Sequence, residues 1–164
     1  MKKLILVRHA KSSWEYDVID HERPLNNRGE NDAKLVSEYL GANNLIPGPD
    51  LILCSDSNRT KLTADIFTKG LDIYHHKIHY SYSLYDFDGR DLVKVISDIE
   101  DAVNTLLVFG HNHAITYFVN AFGDKLIENV PTSGVVVIDF DVDSWRYLDQ
   151  GKTVLSLFPR DLKK

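Results

Sequence analysis

Cysteine is almost missing from this chain. Among 164 residues there is one, Cys54. No internal disulfide can form, and the usage fits a reducing, cytoplasmic setting. An excess of positive charge is also missing. Nineteen Lys and Arg against 24 Asp and Glu leave a formal net charge of −5, so neither nucleic acid nor a membrane surface is an expected partner. Any anion bound here has to meet a local group of cations. Long apolar runs are absent too. The opening "MKKLILV" holds an apolar run from Leu4 to Val7 before Arg8 ends it, which is shorter than a signal-peptide core and far short of a membrane span. There is no repeat, no low-complexity tract and no linker-like stretch. "LIPGPD" at 45–50 is the strongest turn cluster, and it is too short to separate domains. One domain over residues 1–164 is expected, long enough to bury a substantial core.

What is present is an alternation of short apolar runs with helical patterns. The runs are Leu4–Val7, Leu51–Leu53, Leu106–Phe109 and Val135–Ile138. Their continuous apolarity suits strands covered on both faces, as in a mainly parallel sheet. Between them, Ala33, Val36 and Leu40 share a helix face. Leu92, Val95, Ile96, Ile99 and Val103 share another, and Ile115, Phe118, Val119 and Phe122 a third. Asn27 with Glu30 resembles a capping box, while Ser57 and Asp88 suit N-cap positions. A helix is expected at about 57–68, a short weak strand near 78–81, and a last strand at about 153–158. The connection "DVDSWRYLDQGK" is too short for a helical crossover, so the last two strands are expected to be antiparallel. The fold class expected is α/β: a three-layer sandwich with a mainly parallel central sheet, helices on both faces and an antiparallel C-terminal edge.

In open α/β sheets, ligands bind beyond the carboxyl ends of the strands. Arg8 and His9 follow the first run, and Ser55 and Arg59 the second. Leu84, Tyr85 and Asp86 follow the weak strand, and Gly110 and His111 follow the run 106–109. Separate strand ends thus deliver two arginines, two histidines and a carboxylate to one rim. Any one of these alone reads as a surface ion pair or a satisfied polar group; their shared position is what points to a site. Guanidinium forks match phosphate oxygens and stay charged at working pH. With a protonated imidazole they can hold the equatorial oxygens of a transferring phosphoryl group, while a neutral histidine attacks in line. A backbone carbonyl on the other ring nitrogen would fix the attacking tautomer. Such chemistry needs no metal and no cofactor.

"LVRHAKSSW" together with "ERPLNNRGENDA" resembles the opening of the histidine phosphatase superfamily, also called phosphoglycerate mutase-like. The Arg-His-Ala form is similar to its SixA-like branch of phosphohistidine phosphatases. The likeness continues through "LILCSDSNRTKLTADIF", "LVFGHNHAI" and "VPTSGVVVIDFDVDSW". It implies that His9 is the nucleophile, forming a covalent phosphohistidine, and that Arg8, Arg59 and His111 form the phosphate pocket. Asp86, in "SLYDFDG", matches the place where larger members carry a proton-donating Glu. Ser12 and Arg23 are further substrate-binding candidates; Ser12 has the alternative of closing a turn, and Arg23 that of locking the loop before the first long helix. Ala10 and Lys11 replace the Gly or acidic residue usual after Arg-His, and His113 stands where related chains often carry Pro.

The resemblance implies a phosphorylated protein as substrate, specifically one bearing phosphohistidine. Imidazole is a good leaving group and asks little of a general acid. A phosphatase for small phosphorylated metabolites is the enzymatic alternative, and an inactive phospho-ligand-binding module the non-enzymatic one. "GHNH" also resembles a metallophosphoesterase motif, but the Asp-x-His and Asn-His-Asp motifs that would complete it are missing. His75, His76 and His79 suggest a solvated loop and strand edge rather than a metal site. Cys54 closes an apolar strand and reads as a buried, inert thiol. Trp14 and Trp145 read as packing or rim residues.

Overall fold

The computed structural model describes residues 1–163. Six strands form one sheet in the order β3-β2-β4-β1-β5-β6. They are β1 (Lys2–Arg8), β2 (Leu51–Ser55), β3 (Ile78–Ser81), β4 (Thr105–Gly110), β5 (Val135–Phe140) and β6 (Lys152–Leu157). The helices are α1 (Asn27–Ala42), α2 (Asn58–Gly70), α3 (Arg90–Ser97), α4 (Ala114–Phe122) and the short α5 (Pro159–Leu162). β1 to β4 are mutually parallel, and β5 runs antiparallel to both β1 and β6. The sheet is therefore mainly parallel with an antiparallel C-terminal edge, as expected from the sequence.

Alternation along each buried strand supplies two cores. Leu4, Leu6, Leu106 and Val108 face α3 and α4, where they meet Leu92, Ile96, Phe118 and Val119. Ile5, Val7, Leu107 and Phe109 face α1 and α2, where they meet Val36, Leu40, Ala64 and Phe67. Each such side chain contributes roughly 1.5–3 kcal/mol by leaving water, and helices on both faces explain the unbroken apolar runs. Trp145 lies fully buried, its indole N–H donating to the Val103 carbonyl at 2.7 Å. Trp14 is an exposed rim residue instead.

Several local expectations shift. Asn26, not Asn27, caps α1, its Oδ1 accepting from the Gly29 N–H at 2.8 Å. Gly29 is required there because a Cβ would lie 2.1 Å from the Lys11 carbonyl oxygen, the approach that holds the start of α1 against the segment after β1. Ser57 caps α2 as expected. Helix α3 ends at Ser97 and does not include Ile99 or Val103, which still pack on the core. The acids Asp98, Glu100 and Asp101 lie just past its end, where a helix dipole disfavours negative charge. The last strand begins and ends one residue earlier than expected.

The register sets the site. Arg8 pairs with Gly110 and Cys54 with Phe109, so β1, β2 and β4 end level with one another. The residues just beyond these strand ends therefore meet at one rim.

Candidate active site

His9 is the first residue past β1. Its N–H donates to the Gly110 carbonyl at 3.1 Å, and its own carbonyl accepts from the Ser133 N–H at 3.1 Å. The next residue is pinned as well, the Ala10 N–H donating to Thr63 Oγ1 at 2.9 Å. The imidazole thus sits on a backbone fixed from three sides. Its Nδ1 lies 2.7 Å from the Ala10 carbonyl oxygen. A carbonyl can only accept, so Nδ1 carries the proton and Nε2 keeps its lone pair.

The second histidine lies just past β4. His111 is buried, with its ring centroid 5.3 Å from that of His9. Its Nε2 lies 2.9 Å from Ser55 Oγ, at the end of β2. Both imidazoles are held neutral. Burial pushes His9 down to about 3, against the pull of the Ala10 carbonyl and with help from the Arg59, Arg8 and Arg23 guanidiniums. Burial, followed by His9 and Arg59, pushes His111 down to about 2. The expected protonated imidazole beside the nucleophile belongs to the phosphoryl-bound state, not to the free protein. A bound phosphoryl dianion would reverse part of the shift, since opposite charge favours the imidazolium.

Two guanidiniums act on both imidazoles. Arg8 donates through Nη1 to the Val130 carbonyl at 2.8 Å. Arg59, on the first turn of α2, donates through Nη1 to the Asp20 carbonyl at 2.7 Å and through Nη2 to Asp20 Oδ2 at 3.0 Å. Each arginine is thereby held by its far end. Arg8 Nε, Arg59 Nε and His111 Nδ1 are all buried with no hydrogen-bond partner in the protein among the described residues. Native proteins seldom leave buried polar nitrogens unpaired, and these three, on residues whose charge acts on His9 or whose ring packs against it, suit a tetrahedral oxyanion.

Arg23 and Ser12 bond to each other beside Asp20. The Arg23 guanidinium donates to the Ser13 carbonyl, to Asp20 Oδ1 at 3.0 Å and to Ser12 Oγ. Trp14 covers its face, 3.2 Å from guanidinium carbon to ring centroid. Asp86 is committed elsewhere. Its Oδ1 accepts from the Asp88 N–H, and its Oδ2 from the N–H groups of Gly89 and Leu92, at 3.0–3.2 Å. It caps α3, whose N-cap residue Gly89 has φ +105° and no side chain to offer. Asp88, expected as the cap, supplies only one bond, to the Arg90 N–H.

Sequence reasoning placed Tyr85 at a strand end without giving it a role, and passed over two residues that the fold brings to the rim, Asp20 and Phe87. Asp20 joins Arg59, Arg23 and the Tyr85 hydroxyl. Tyr85 and Phe87 flank His111, with centroids at 5.3 and 5.0 Å. The signal for Asp20 was its place three residues before Arg23, the spacing of an ion pair on one turn. Cys54 is buried beneath the rim, and burial pushes its thiol up to about 12. Among the described residues no three His, Cys, Asp or Glu converge as metal ligands.

The family model for the histidine phosphatase superfamily (branch 1) matches residues 4–89, the half of the chain that carries Arg8, His9 and Arg59. The chain belongs to the histidine phosphatase superfamily. An uncharacterized protein of Mycobacterium tuberculosis (strain H37Rv) is 32% identical over 142 residues, covering 80% of this chain and 85% of that one. Among solved structures, the protein histidine phosphatase SixA complexed with tungstate superposes with a TM-score of 0.80 at 19% identity, covering 98% of this chain and 99% of that one. The putative phosphohistidine phosphatase SixA from Agrobacterium tumefaciens gives 0.75 at 23% identity, covering 95% and 97%. The fold of this histidine phosphatase is thus the SixA-like fold over nearly its whole length. No helix among the described residues is long and apolar enough to cross a membrane.

Proposed function

We propose that this chain is a one-domain, metal-independent phosphohydrolase that works through a covalent phosphohistidine on His9. The observation that carries the reading is the Nδ1–Ala10 carbonyl bond. It leaves a lone pair on Nε2 of a histidine that burial, helped by the Arg59, Arg8 and Arg23 guanidiniums, keeps neutral. His9 Nε2 attacks phosphorus and forms a P–N bond as the leaving group departs with its bonding pair. Arg8, Arg59 and His111 hold the nonbridging oxygens. Water then attacks the phosphohistidine, the P–N bond breaks back onto Nε2, and the water proton passes to solvent.

The substrate we favour is phosphohistidine on a protein. A leaving imidazole protonated on its distal nitrogen departs neutral, so no enzymatic acid is needed. That fits a rim where Asp86 is a helix cap and Asp20 is held at about 2: burial works to raise it, and hydrogen bonds from Tyr85, Arg59 and Arg23 outweigh burial. The rim also exposes Trp14, Ile19, Tyr82 and Phe87, an apolar surface suited to a polypeptide rather than to a small polar metabolite.

Rapid quench after mixing with a phosphohistidine protein, a sugar phosphate and an aryl phosphate tests the reading. A base-stable, acid-labile adduct should form, and His9→Ala should abolish it and lower turnover about a thousandfold or more. Normal turnover in His9→Ala would reject the covalent mechanism. Preference for the sugar phosphate would move the substrate to small monoesters. Tight phosphate retention without turnover would make the protein a binding module.

A further inference from the structure

The carboxylate of Asp20 gathers three side-chain hydrogen bonds at the rim. It lies on a short turn, Asp20–Glu22, in a largely exposed loop. Its side chain is half-exposed, yet it gathers two guanidiniums that are almost fully buried. Oδ1 takes Arg23 Nη1 at 3.0 Å. Oδ2 takes Arg59 Nη2 at 3.0 Å together with the Tyr85 hydroxyl. Its backbone carbonyl takes Arg59 Nη1 at 2.7 Å.

The pattern of bonds on Arg59 matters. A guanidinium has five N–H groups and two useful edges, one between the terminal nitrogens and one between Nε and its neighbouring terminal nitrogen. Asp20 fills the first. The second includes Nε, which is buried and has no protein partner among the described residues. Arg8 repeats the arrangement, with Nη1 held by a carbonyl and Nε unpaired. Burial removes the option of Arg59 sampling solvent, so the clamp decides which edge faces the pocket.

We propose that Asp20 is a positioning residue: by clamping both terminal nitrogens of Arg59, it presents the Nε edge of that guanidinium to the phosphoryl group. The inference rests on the pocket being a phosphoryl site. It also accounts for the charge. Arg8, Arg23 and Arg59 with Asp20 leave two positive charges beside two neutral imidazoles, matching a phosphoryl dianion. Tyr85 completes the clamp and ties the segment before α3 to the same carboxylate.

A double-mutant cycle in the full-length protein tests this, because a residue acting through Arg59 has little left to do once Arg59 is gone. Two readouts are needed: aryl phosphate turnover and tungstate affinity by calorimetry. Asp20→Ala should lower kcat/KM about tenfold or more, mostly in kcat, and weaken tungstate by a similar factor. In an Arg59→Ala background the same change should move either quantity less than about twofold. Tyr85→Phe removes one bond to Asp20 and leaves both arginines in place. Its smaller loss should show the same dependence on Arg59, and it carries the test should Asp20→Ala fail to fold. Additive losses would overturn the proposal, since a merely structural role moves stability without regard to Arg59. Tighter tungstate binding in Asp20→Ala would overturn it too, making Asp20 a competitor for the fork. Should the protein turn over no phosphate compound at all, the enzymatic reading fails, and the tungstate cycle still decides the link between Asp20 and Arg59.

Discussion

Mild acid should destabilise this protein through the two histidines of its site before its carboxylates titrate. His9 is held at about 3 and His111 at about 2, against an ordinary value of 6.5. Below 6.5 the unfolded chain binds protons that the folded chain refuses, so stability is complete above that value and falls as the pH drops. Each histidine removes up to about 1.4 kcal/mol per pH unit below that value, and the pair up to about 2.7. Going from about pH 6.5, where the unfolded imidazole is half protonated, to about pH 5 should therefore cost roughly 3 kcal/mol of the 5–15 typical for a domain. Asp20, held at about 2, adds its own loss only below the ordinary carboxylate range. Urea unfolding at stepped pH measures the effect. The wild-type midpoint should fall steeply between about pH 6.5 and 5, and His111→Asn should roughly halve the slope, because asparagine has nothing to titrate. Saturating tungstate should shift the loss to lower pH, since the bound anion stabilises the folded state and favours the charged imidazoles. A wild-type midpoint that stays level over that range, or a slope unchanged in His111→Asn, would refute the neutral pair and with it the stated protonation of the nucleophile.

Two further outcomes rest on the same geometry. Asp86→Ala should cost about 1–2 kcal/mol in urea unfolding through loss of the α3 cap, while the ratio of aryl to alkyl phosphate turnover stays within about twofold; a selective loss on alkyl phosphates would return Asp86 to the role of general acid. Hydrolysis should survive exhaustive chelation, because guanidiniums and imidazoles supply the charge stabilisation. Activity lost in EDTA and regained with zinc or manganese would point to a metallophosphoesterase mechanism instead.

The strands were legible because burial on both faces writes itself as unbroken apolarity, as in Leu4–Val7 and Leu106–Phe109. Once those strands are placed, the rule that ligands lie at their carboxyl ends brings Arg8, His9, Arg59 and His111 to one rim without further knowledge. What stayed hidden depends on where a flexible side chain turns. Asp86 sits at the strand-end position that suggested an acid, yet three backbone amides of the α3 start claim its oxygens. Spacing cannot show that, because a carboxylate a few residues before a helix serves equally as cap or as catalyst. The end of α3 was hidden for a related reason. Ile99 and Val103 keep the apolar spacing and still reach the core, so periodicity alone does not reveal that the helix stops at Ser97.

Asp20 was hidden by its surroundings. In "YDVIDHER" it is one of several acids in an exposed loop, and locally only its spacing to Arg23 sets it apart from Asp17 or Glu22. Only the tertiary fold brings Arg59 and Tyr85 to it. Its value to a phosphoryl site lies in direction. A guanidinium free to turn would meet substrate, product and transition state alike, and such uniform binding lowers KM without raising kcat. By holding one edge of Arg59 toward the phosphoryl oxygens, one carboxylate places those hydrogen bonds where charge develops in the transition state, a gain larger than the attraction that its own negative charge removes.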